Sequence, residues 1–75
     1  MAKVTKEFDG KRFNYYCNGQ LYRTSKNDYR FACIAIRNDN GKEIPAALGN
    51  DRDSTLKSNS LRYREYCKLI VVDIE

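Results

Sequence analysis

The longest internal apolar segment of the chain, residues 29–36, predicts a β-strand at the centre of the fold. Successive side chains of a strand point to opposite faces, and in this segment both sets are apolar. One set is Phe31, Cys33 and Ala35, and the other is Ala32, Ile34 and Ile36. A strand that is apolar on both faces is normally covered on both. We therefore expect the rest of the chain to fold around residues 29–36.

Two turn signals before this strand predict a three-stranded antiparallel meander. Asp9-Gly10 follows residues 3–8, and Asn18-Gly19 lies between residues 13–17 and residues 20–24. Both dipeptides favour two-residue hairpin loops, because a type I′ turn needs positive φ at its two central residues. This part of the chain is therefore expected to form three strands joined by two tight loops.

Two-residue loops would fix the register of the meander and hence the composition of its two faces. In that register Val4 lies opposite Tyr15, and Tyr15 lies opposite Tyr22. The face predicted to pack on the core carries Val4, Phe8, Phe13, Tyr15 and Tyr22. The other face carries Thr5, Glu7, Arg12, Asn14, Tyr16, Leu21 and Arg23.

The residues on either side of the central strand predict a loop before it and a hairpin after it. Residues 24–28 are polar and have the composition of a turn. Asn40-Gly41 favours a second tight hairpin, from which residues 42–48 return as a strand. Pro45 cannot donate a hydrogen bond to a neighbouring strand, so this returning strand is expected at the edge of a sheet.

A helix and a final strand complete the predicted fold. Asp53 or Ser54 can accept hydrogen bonds from the first turn of a helix over residues 55–67. Residues 68–74 are rich in β-branched side chains and predict a strand beside the central one. The fold class is α+β: a small antiparallel sheet built from a meander and a hairpin, in the order β-β-β-β-β-α-β, with one helix packed on one face. We expect residues 1–75 to form a single small α+β domain.

Length and charge limit the size of the core and the kind of partner. A chain of 75 residues buries about 60% of the surface of its unfolded state, so its core is thin. Fourteen lysines and arginines against ten acidic residues give a net charge of +4, which favours an anionic partner. No segment approaches the ~20 apolar residues of a membrane span, and the N-terminal residues lack the apolar core of a signal peptide. We expect a cytoplasmic protein without membrane contacts.

The sequence lacks the combinations of residues that form the common catalytic and metal centres. It has no histidine, which is the most frequent general base and metal ligand. Cys17, Cys33 and Cys67 are far apart in sequence and fit buried free thiols better than a disulfide or a metal site. We therefore expect a protein that is not an enzyme and has no catalytic residue, metal site or cofactor.

The remaining chemical signal is a mixture of basic and aromatic residues. Guanidinium groups bind phosphates or carboxylates, and tyrosines stack on bases or fill pockets in protein partners. The candidate partner-binding residues are Arg23, Lys26, Tyr29 and Arg30 at the start of the central strand, Arg62 and Arg64 on the predicted helix, and Arg12 and Tyr16 on the outer face of the meander. On the outer face of the meander, Arg12, Arg23 and Tyr16 are expected to form one contact surface. For these three residues, and for Arg62 and Arg64, an ordinary solvated surface is the alternative interpretation.

Residues 22–36, in which Tyr22-Arg23-Thr24-Ser25 leads through Tyr29 into the apolar strand, resemble small orphan proteins of phages and mobile elements. The resemblance covers about a fifth of the chain and assigns no residue roles. It implies a stoichiometric inhibitor of a host nucleic-acid-handling or defence complex, for example a CRISPR nuclease, acting in the host cytoplasm. Many such inhibitors are acidic mimics of nucleic acid, whereas this chain is basic. It would therefore dock on an acidic protein surface or on nucleic acid held by the complex.

The sequence leads to one preferred function and one alternative. The preferred function is a non-catalytic binding protein that occupies a protein or nucleoprotein complex stoichiometrically. The alternative is a basic-aromatic module that binds nucleic acid or a nucleotide signal directly, with an affinity that falls steeply with salt because neutralised phosphates release counterions. The exposed edge at residues 42–48 also allows a homodimer through strand pairing.

Overall fold

The computed structural model describes residues 2–57, 63 and 65–75, and its elements follow the predicted order. They are β1 (Val4–Phe8), β2 (Phe13–Cys17), β3 (Gln20–Ser25), β4 (Phe31–Arg37), β5 (Glu43–Gly49), α1 (Arg52–Lys57) and β6 (Cys67–Asp73). The described strands form two antiparallel three-stranded sheets, in the orders β1-β2-β3 and β5-β4-β6. The α+β class and the order of its elements are therefore confirmed.

The two sheets meet along a seam between β1 and the end of β6. Val4 forms a parallel bridge with Ile74. The amide of Glu75 donates to the carbonyl of Val4 (2.9 Å), and the amide of Lys6 donates to the carbonyl of Glu75 (3.2 Å). The sequence predicted one sheet, whereas the structure has two sheets that share this short line of hydrogen bonds.

The central position of β4 is confirmed. It pairs with β5 on one side and with β6 on the other, and its residues Ala32, Cys33, Ile34 and Ala35 are all at most 1% exposed. β5 lies at the edge of this sheet, as Pro45 predicted. Burial of both faces explains why the sequence of β4 is apolar throughout instead of alternating with polar residues.

Two apolar clusters lie on the two sides of β4. The first lies between the sheets and contains the buried residues Ala2, Val4, Cys17, Ala32 and Ile34, with Tyr22, Ile36, Leu48, Ile70, Val72 and Ile74 packed against them. The second lies on the other side and contains Cys33, Ala35, Ala46, Ala47 and Cys67, with Ile44, Tyr63 and Leu69 packed against them. The three cysteines are buried free thiols, as predicted.

The predicted register of the β1–β2 hairpin is wrong, because its loop has four residues instead of two. Phe8 pairs with Phe13, and Val4 pairs with Cys17 instead of Tyr15. The carboxylate of Asp9 accepts hydrogen bonds from the amides of Lys11 (2.9 Å) and Arg12 (2.8 Å). This side-chain capping closes a wider turn than the Asp-Gly dipeptide alone would specify.

The β2–β3 hairpin has the predicted two-residue loop but contains a bulge. Asn18 and Gly19 both have positive φ, 51° and 86°, and Cys17 pairs with Gln20 across them. The register then shifts between Tyr15 and Tyr16, so that Tyr15 faces Arg23 instead of the predicted Tyr22. The inserted residue of a bulge changes which side chains share a face beyond it.

Two of the five residues on the predicted core face of the meander lie outside the core. Val4 and Tyr15 are buried and Tyr22 is half-buried against the first cluster, as predicted. Phe8, however, is 56% exposed, and Phe13 is half-buried without belonging to either cluster. Both phenylalanines lie at the tip of the β1–β2 hairpin, beyond the residues that pack on β4.

The helix begins earlier than predicted and has a different cap. α1 starts at Arg52, and the carboxylate of Asp51 accepts a hydrogen bond from the amide of Ser54 (2.9 Å). The residues predicted to cap it, Asp53 and Ser54, lie inside its first turn. Asp51 is the cap because it precedes the helix and its carboxylate reaches an N–H group of the first turn. The predicted span of residues 55–67 falls partly outside the described residues.

Thr55 fixes the helix against the end of β5. Its side chain is buried, and its hydroxyl donates to the carbonyl of Asp51 (2.6 Å). Gly49 leaves the space that this side chain fills, because a Cβ atom at position 49 would collide with the Thr55 hydroxyl. α1 is held in this way on the side of the second sheet that faces away from the meander. No helix in the described part of the chain has the length and apolar character needed to cross a membrane.

Candidate binding surface

The β1–β2 hairpin ends in a pair of phenylalanines, of which Phe8 is exposed and Phe13 is half-buried. Phe8 and Phe13 lie opposite each other on the two strands, with ring centroids 4.8 Å apart. Lys6 Nζ lies 5.9 Å from the centroid of the Phe13 ring, within the range of a cation–π contact. Exposed aromatic rings beside a cation suit a binding surface, because a partner that covers them removes a large apolar area from water.

Tyr15 connects this hairpin to the loop that precedes β4. Its ring is fully buried, and its hydroxyl donates to the carbonyl of Asn27 (2.6 Å) while accepting from the amide of Tyr29 (2.7 Å). The ring centroid of Tyr15 lies 6.5 Å from that of Phe13 and 5.7 Å from that of Tyr29. One buried hydroxyl therefore holds the loop in place and sets Tyr29 beside the aromatic rings of the meander.

Tyr29 is half-buried and surrounded by polar groups. The amide nitrogen of the Asn27 side chain donates to the Tyr29 hydroxyl (3.1 Å). Hydrogen bonds from the side chains of Asn27 and then Ser25, together with the charge of Arg23, hold the pKa of Tyr29 below its usual value. The guanidinium of Arg23 lies over the ring of Tyr22, 5.1 Å from its centroid.

A cleft of about 290 Å³ lies on the other side of this loop. It is lined by Lys6, Arg30, Phe31, Asp73 and Ile74. The ring of Phe31 is half-buried and lies between two guanidinium groups: that of Arg30 is 5.8 Å from its centroid, and that of Arg52 is 5.3 Å from it. Two guanidinium groups, from the loop before β4 and from the start of α1, therefore flank one aromatic ring, and Lys6 of β1 lines the same cleft.

The cations of the cleft differ in how far they are already neutralised. Lys6 forms an ion pair with Asp28 and also donates to the carbonyl of Tyr29 (3.3 Å). Arg52 forms an ion pair with Asp73 at 3.4 Å. Arg30 has no carboxylate partner among the described residues, and its guanidinium contacts the Phe31 ring. Its N–H donors are therefore the ones most available to an anion entering the cleft.

These features form one continuous surface, which we call the aromatic–cation track. It consists of Phe8, Phe13, Lys6, Tyr29, Arg30, Phe31 and Arg52. Lys6 connects its two halves, because its ammonium lies near the Phe13 ring and its side chain also lines the cleft. Rings and cations alternate along the track from the tip of the meander to the start of α1.

The structure brings two of the sequence-predicted site residues, Tyr29 and Arg30, to this track. Arg23 is exposed, and its guanidinium lies over the Tyr22 ring. Lys26 is exposed in the loop before β4. Arg62 and Arg64 lie outside the described residues.

Arg12 and Tyr16 do not form the predicted surface with Arg23. Arg12 is in the β1–β2 turn, where its amide donates to Asp9. Tyr16 is half-buried and pairs with Leu21, whereas Arg23 pairs with Tyr15 and so lies on the opposite face. The bulge between Tyr15 and Tyr16 separates the two side chains that a regular ladder would have placed together.

Sequence reasoning missed Lys6, Phe8, Phe31 and Arg52 as members of the surface. The sequence pattern places Phe8 on the core face of the meander and Phe31 only within the central strand. Lys6 and Arg52 are far from the basic-aromatic segment in sequence and reach it through the fold. The available signal was the position of Phe8 directly before the Asp9-Gly10 turn, because side chains at the tip of a hairpin often lie beyond the core.

The described residues offer no group of three or more carboxylate or thiol side chains that could hold a metal ion. Burial raises the pKa of the Cys33 thiol. Burial and then the charge of Glu43 raise the pKa of Cys17. Both thiols are therefore held in their protonated, weakly nucleophilic form.

Comparisons with protein-family models, with curated proteins and with solved structures found no match to this chain.

Proposed function

We propose that the protein is a non-catalytic binding protein that occupies a surface of a nucleic-acid-handling or defence complex of a bacterial host, as a stoichiometric inhibitor would. The aromatic–cation track is the observation that supports this function. It combines exposed rings with cations, the side chains that carry most of the binding energy at macromolecular interfaces. The resemblance of residues 22–36 to small phage-type proteins suggests the class of complex.

The shape of the track suits occupation of a partner better than turnover of a small molecule. Its rings lie on an open sheet face and at the rim of a shallow cleft, so they would contact a large, continuous partner surface. Its charged groups are Lys6 and Arg52, each paired with an exposed aspartate, and Arg30. Such groups bind and orient a partner, and they do not assemble a nucleophile with its general base.

The test is capture of a complex from a bacterial lysate with tagged protein, followed by identification of the captured subunits by mass spectrometry. Wild-type protein is expected to retain a nucleic-acid-handling complex. Phe8→Ala is expected to reduce affinity for the complex at least about thirtyfold, because loss of an aromatic anchor costs about 2 kcal/mol or more of binding. Titration of the purified complex with pure protein should bring inhibition of its activity to completion at a fixed molar ratio.

Leu21→Ala is the matched control for this experiment. Leu21 is 61% exposed on the opposite face of the same meander, so its truncation removes a similar apolar area away from the track. Capture should remain unchanged in this variant. Equal retention of the complex by wild type and Phe8→Ala, or equal loss in both variants, would contradict the proposed site.

A further inference from the structure

The track has two parts with different chemistry. At the tip, the exposed ring of Phe8 packs against the half-buried ring of Phe13. The cleft is lined by the cations Lys6 and Arg30, and the Phe31 ring in its wall lies between the guanidinium groups of Arg30 and Arg52. A ligand that suits both parts must present flat apolar groups at one end of the contact and negative charge at the other.

We infer that the ligand of the track is single-stranded nucleic acid, with bases stacked on Phe8 and Phe13 and a backbone phosphate bound by Arg30 and Lys6. This inference rests on the proposed function, because it names the part of the complex that the track contacts. Single strands are bound by cationic grooves that follow the backbone and by aromatic side chains on which bases stack. The track contains both components, connected by Lys6.

Arg30 is the residue that distinguishes a phosphate site from an ordinary charged surface. Its backbone is fixed by hydrogen bonds from its amide to the carbonyl of Gly49 (3.2 Å) and to the side chain of Asn50 (3.0 Å). Its guanidinium rests against Phe31 and has no carboxylate partner among the described residues. A planar guanidinium that is held in place with free donors matches the geometry of a phosphate.

Two carboxylates border the site and oppose an incoming anion. Asp28 is paired with Lys6, and Asp73 lines the cleft and is paired with Arg52. Together with Lys6, Arg30 and Arg52, these two carboxylates give the site a net charge of about +1, which a phosphate would neutralise. Asp73→Asn removes one of the opposing charges with little change of shape. We therefore expect this variant to bind single-stranded nucleic acid more tightly than the wild type.

Duplex nucleic acid does not suit the surface. Its bases are stacked on each other and cannot lie on Phe8 and Phe13 without being unpaired. An acidic protein segment could pair with Arg30 and Lys6, but its carboxylates offer no flat rings for the phenylalanines at the tip. The combination of rings and a phosphate-type site is what favours a single strand over both alternatives.

The experiment is fluorescence anisotropy of the purified full chain with labelled oligothymidylate of twenty nucleotides at several salt concentrations. We expect binding that weakens with salt, with a slope reduced by roughly 0.7 in Arg30→Gln, the value for one lost phosphate contact on a single strand. Phe8→Ala should weaken binding at least about fivefold, the lower end of the range for one base–aromatic stack. Asp73→Asn should strengthen it.

Lys42→Gln is the control for charge. The carbonyl of Lys42 accepts a hydrogen bond from the amide of Arg37 at the end of β4 opposite to Phe31, roughly 20 Å away along the strand. Its replacement by glutamine changes the net charge by the same amount as Arg30→Gln. This variant should retain the wild-type salt slope. An equal effect of Lys42→Gln and Arg30→Gln, or absence of binding at low salt, would overturn the inference.

Two further ligands separate the inference from the proposed function. A duplex of the same length, or poly-glutamate of similar charge, that binds as tightly as oligothymidylate would overturn the choice of a single strand. If no oligonucleotide binds but capture of a protein complex still depends on Phe8, the proposed function stands and this inference fails. If capture also fails, both fail.

Discussion

The two ends of the β1–β2 hairpin each carry an apolar cross-strand pair, but the two pairs lie in different environments. Near the seam, Val4 and Cys17 are 1% and 7% exposed and pack against β4. At the tip, Phe8 and Phe13 pair in the same register on the same face, yet Phe8 is 56% exposed. The comparison shows that alternation decides which face a side chain occupies, whereas the extent of the neighbouring sheet decides whether that face is covered.

The difference also separates stability from binding within one sheet. The end near β4 contributes apolar burial to the fold, and the tip retains apolar area that only a partner can cover. Tyr15 lies between them and connects the hairpin to the loop that carries Tyr29 and Arg30. Substitutions at the covered end, at the boundary and at the tip should therefore have effects of different kind and decreasing size on folding.

The largest effect on stability is expected from Ile34→Ala on the covered side. Ile34 is fully buried between the two sheets, and truncation of such a side chain costs about 2–5 kcal/mol because it leaves a cavity. Urea unfolding monitored by circular dichroism measures the loss. A cost close to that of a surface substitution would mean that the meander does not pack on β4 as described.

Tyr15→Phe tests the boundary. The change keeps the ring but removes the hydroxyl that joins the carbonyl of Asn27 and the amide of Tyr29. Two backbone groups lose their partner, which is expected to cost about 1–3 kcal/mol of unfolding free energy. The same variant should weaken partner capture, because the loop that carries Tyr29 and Arg30 is no longer fixed.

Tyr16→Phe is the control for this substitution, measured by the same urea unfolding. Tyr16 is the next residue of β2 and is half-buried, and its hydroxyl makes no hydrogen bond among the described residues. Its change should leave both stability and capture close to wild type. Equal destabilisation by the two variants would show that the Tyr15 hydroxyl has no special role.

Phe8→Ala should have little effect on folding and a large effect on binding. Because Phe8 is mostly exposed, its truncation is expected to change the unfolding free energy by no more than about 0.5 kcal/mol. The loss should appear in capture or oligonucleotide binding instead. A strongly destabilised variant would place Phe8 in the core and remove the contrast between the two ends of the hairpin.

The smallest effect concerns the pH dependence of the hairpin tip. Hydrogen bonds from the amides of Arg12 and then Lys11 hold the pKa of Asp9 below its usual value of 3.8. A carboxylate with a lowered pKa stabilises the folded state above its unfolded pKa and loses that contribution as the pH falls through its folded pKa. The tip should therefore loosen in acid below this range, while the covered end of the hairpin remains ordered.

Amide chemical shifts of Lys11 and Arg12 followed by NMR during acid titration measure this loosening. Asp9→Asn, which cannot ionise, should remove the transition. The amides of β4 serve as internal reference and should not follow the same titration. A transition of the tip that persists in Asp9→Asn would assign the acid sensitivity to another group.

The elements that sequence reasoning predicted correctly are those with strong local signals. β4 was recognisable because both faces are apolar, and the edge position of β5 follows from Pro45. The loop at Asn18-Gly19 needs positive φ at two residues, which that dipeptide supplies. The α+β class follows from these elements together.

The features that were missed depend on geometry that a local pattern does not carry. The four-residue loop at Asp9 is stabilised by a side chain that bonds to two amides, and the bulge at Tyr15 changes the partner of Arg23. Arg30 and Tyr29 were identified as candidates from their local mixture of charges and rings. Lys6 and Arg52 join them only because β1 and α1 are folded against the start of β4.

The seam between β1 and β6 has a consequence for how the chain can fold during synthesis. β6 leaves the ribosome after the five other described strands, and together with residues 74–75 it supplies both a neighbour for β4 and the hydrogen bonds that reach Val4 and Lys6. Until it emerges, one long edge of β4 and its apolar surface have no native cover, which exposes the nascent chain to aggregation. Insertions near residues 74–75 should therefore disturb folding more than similar insertions in the loop at residues 38–41.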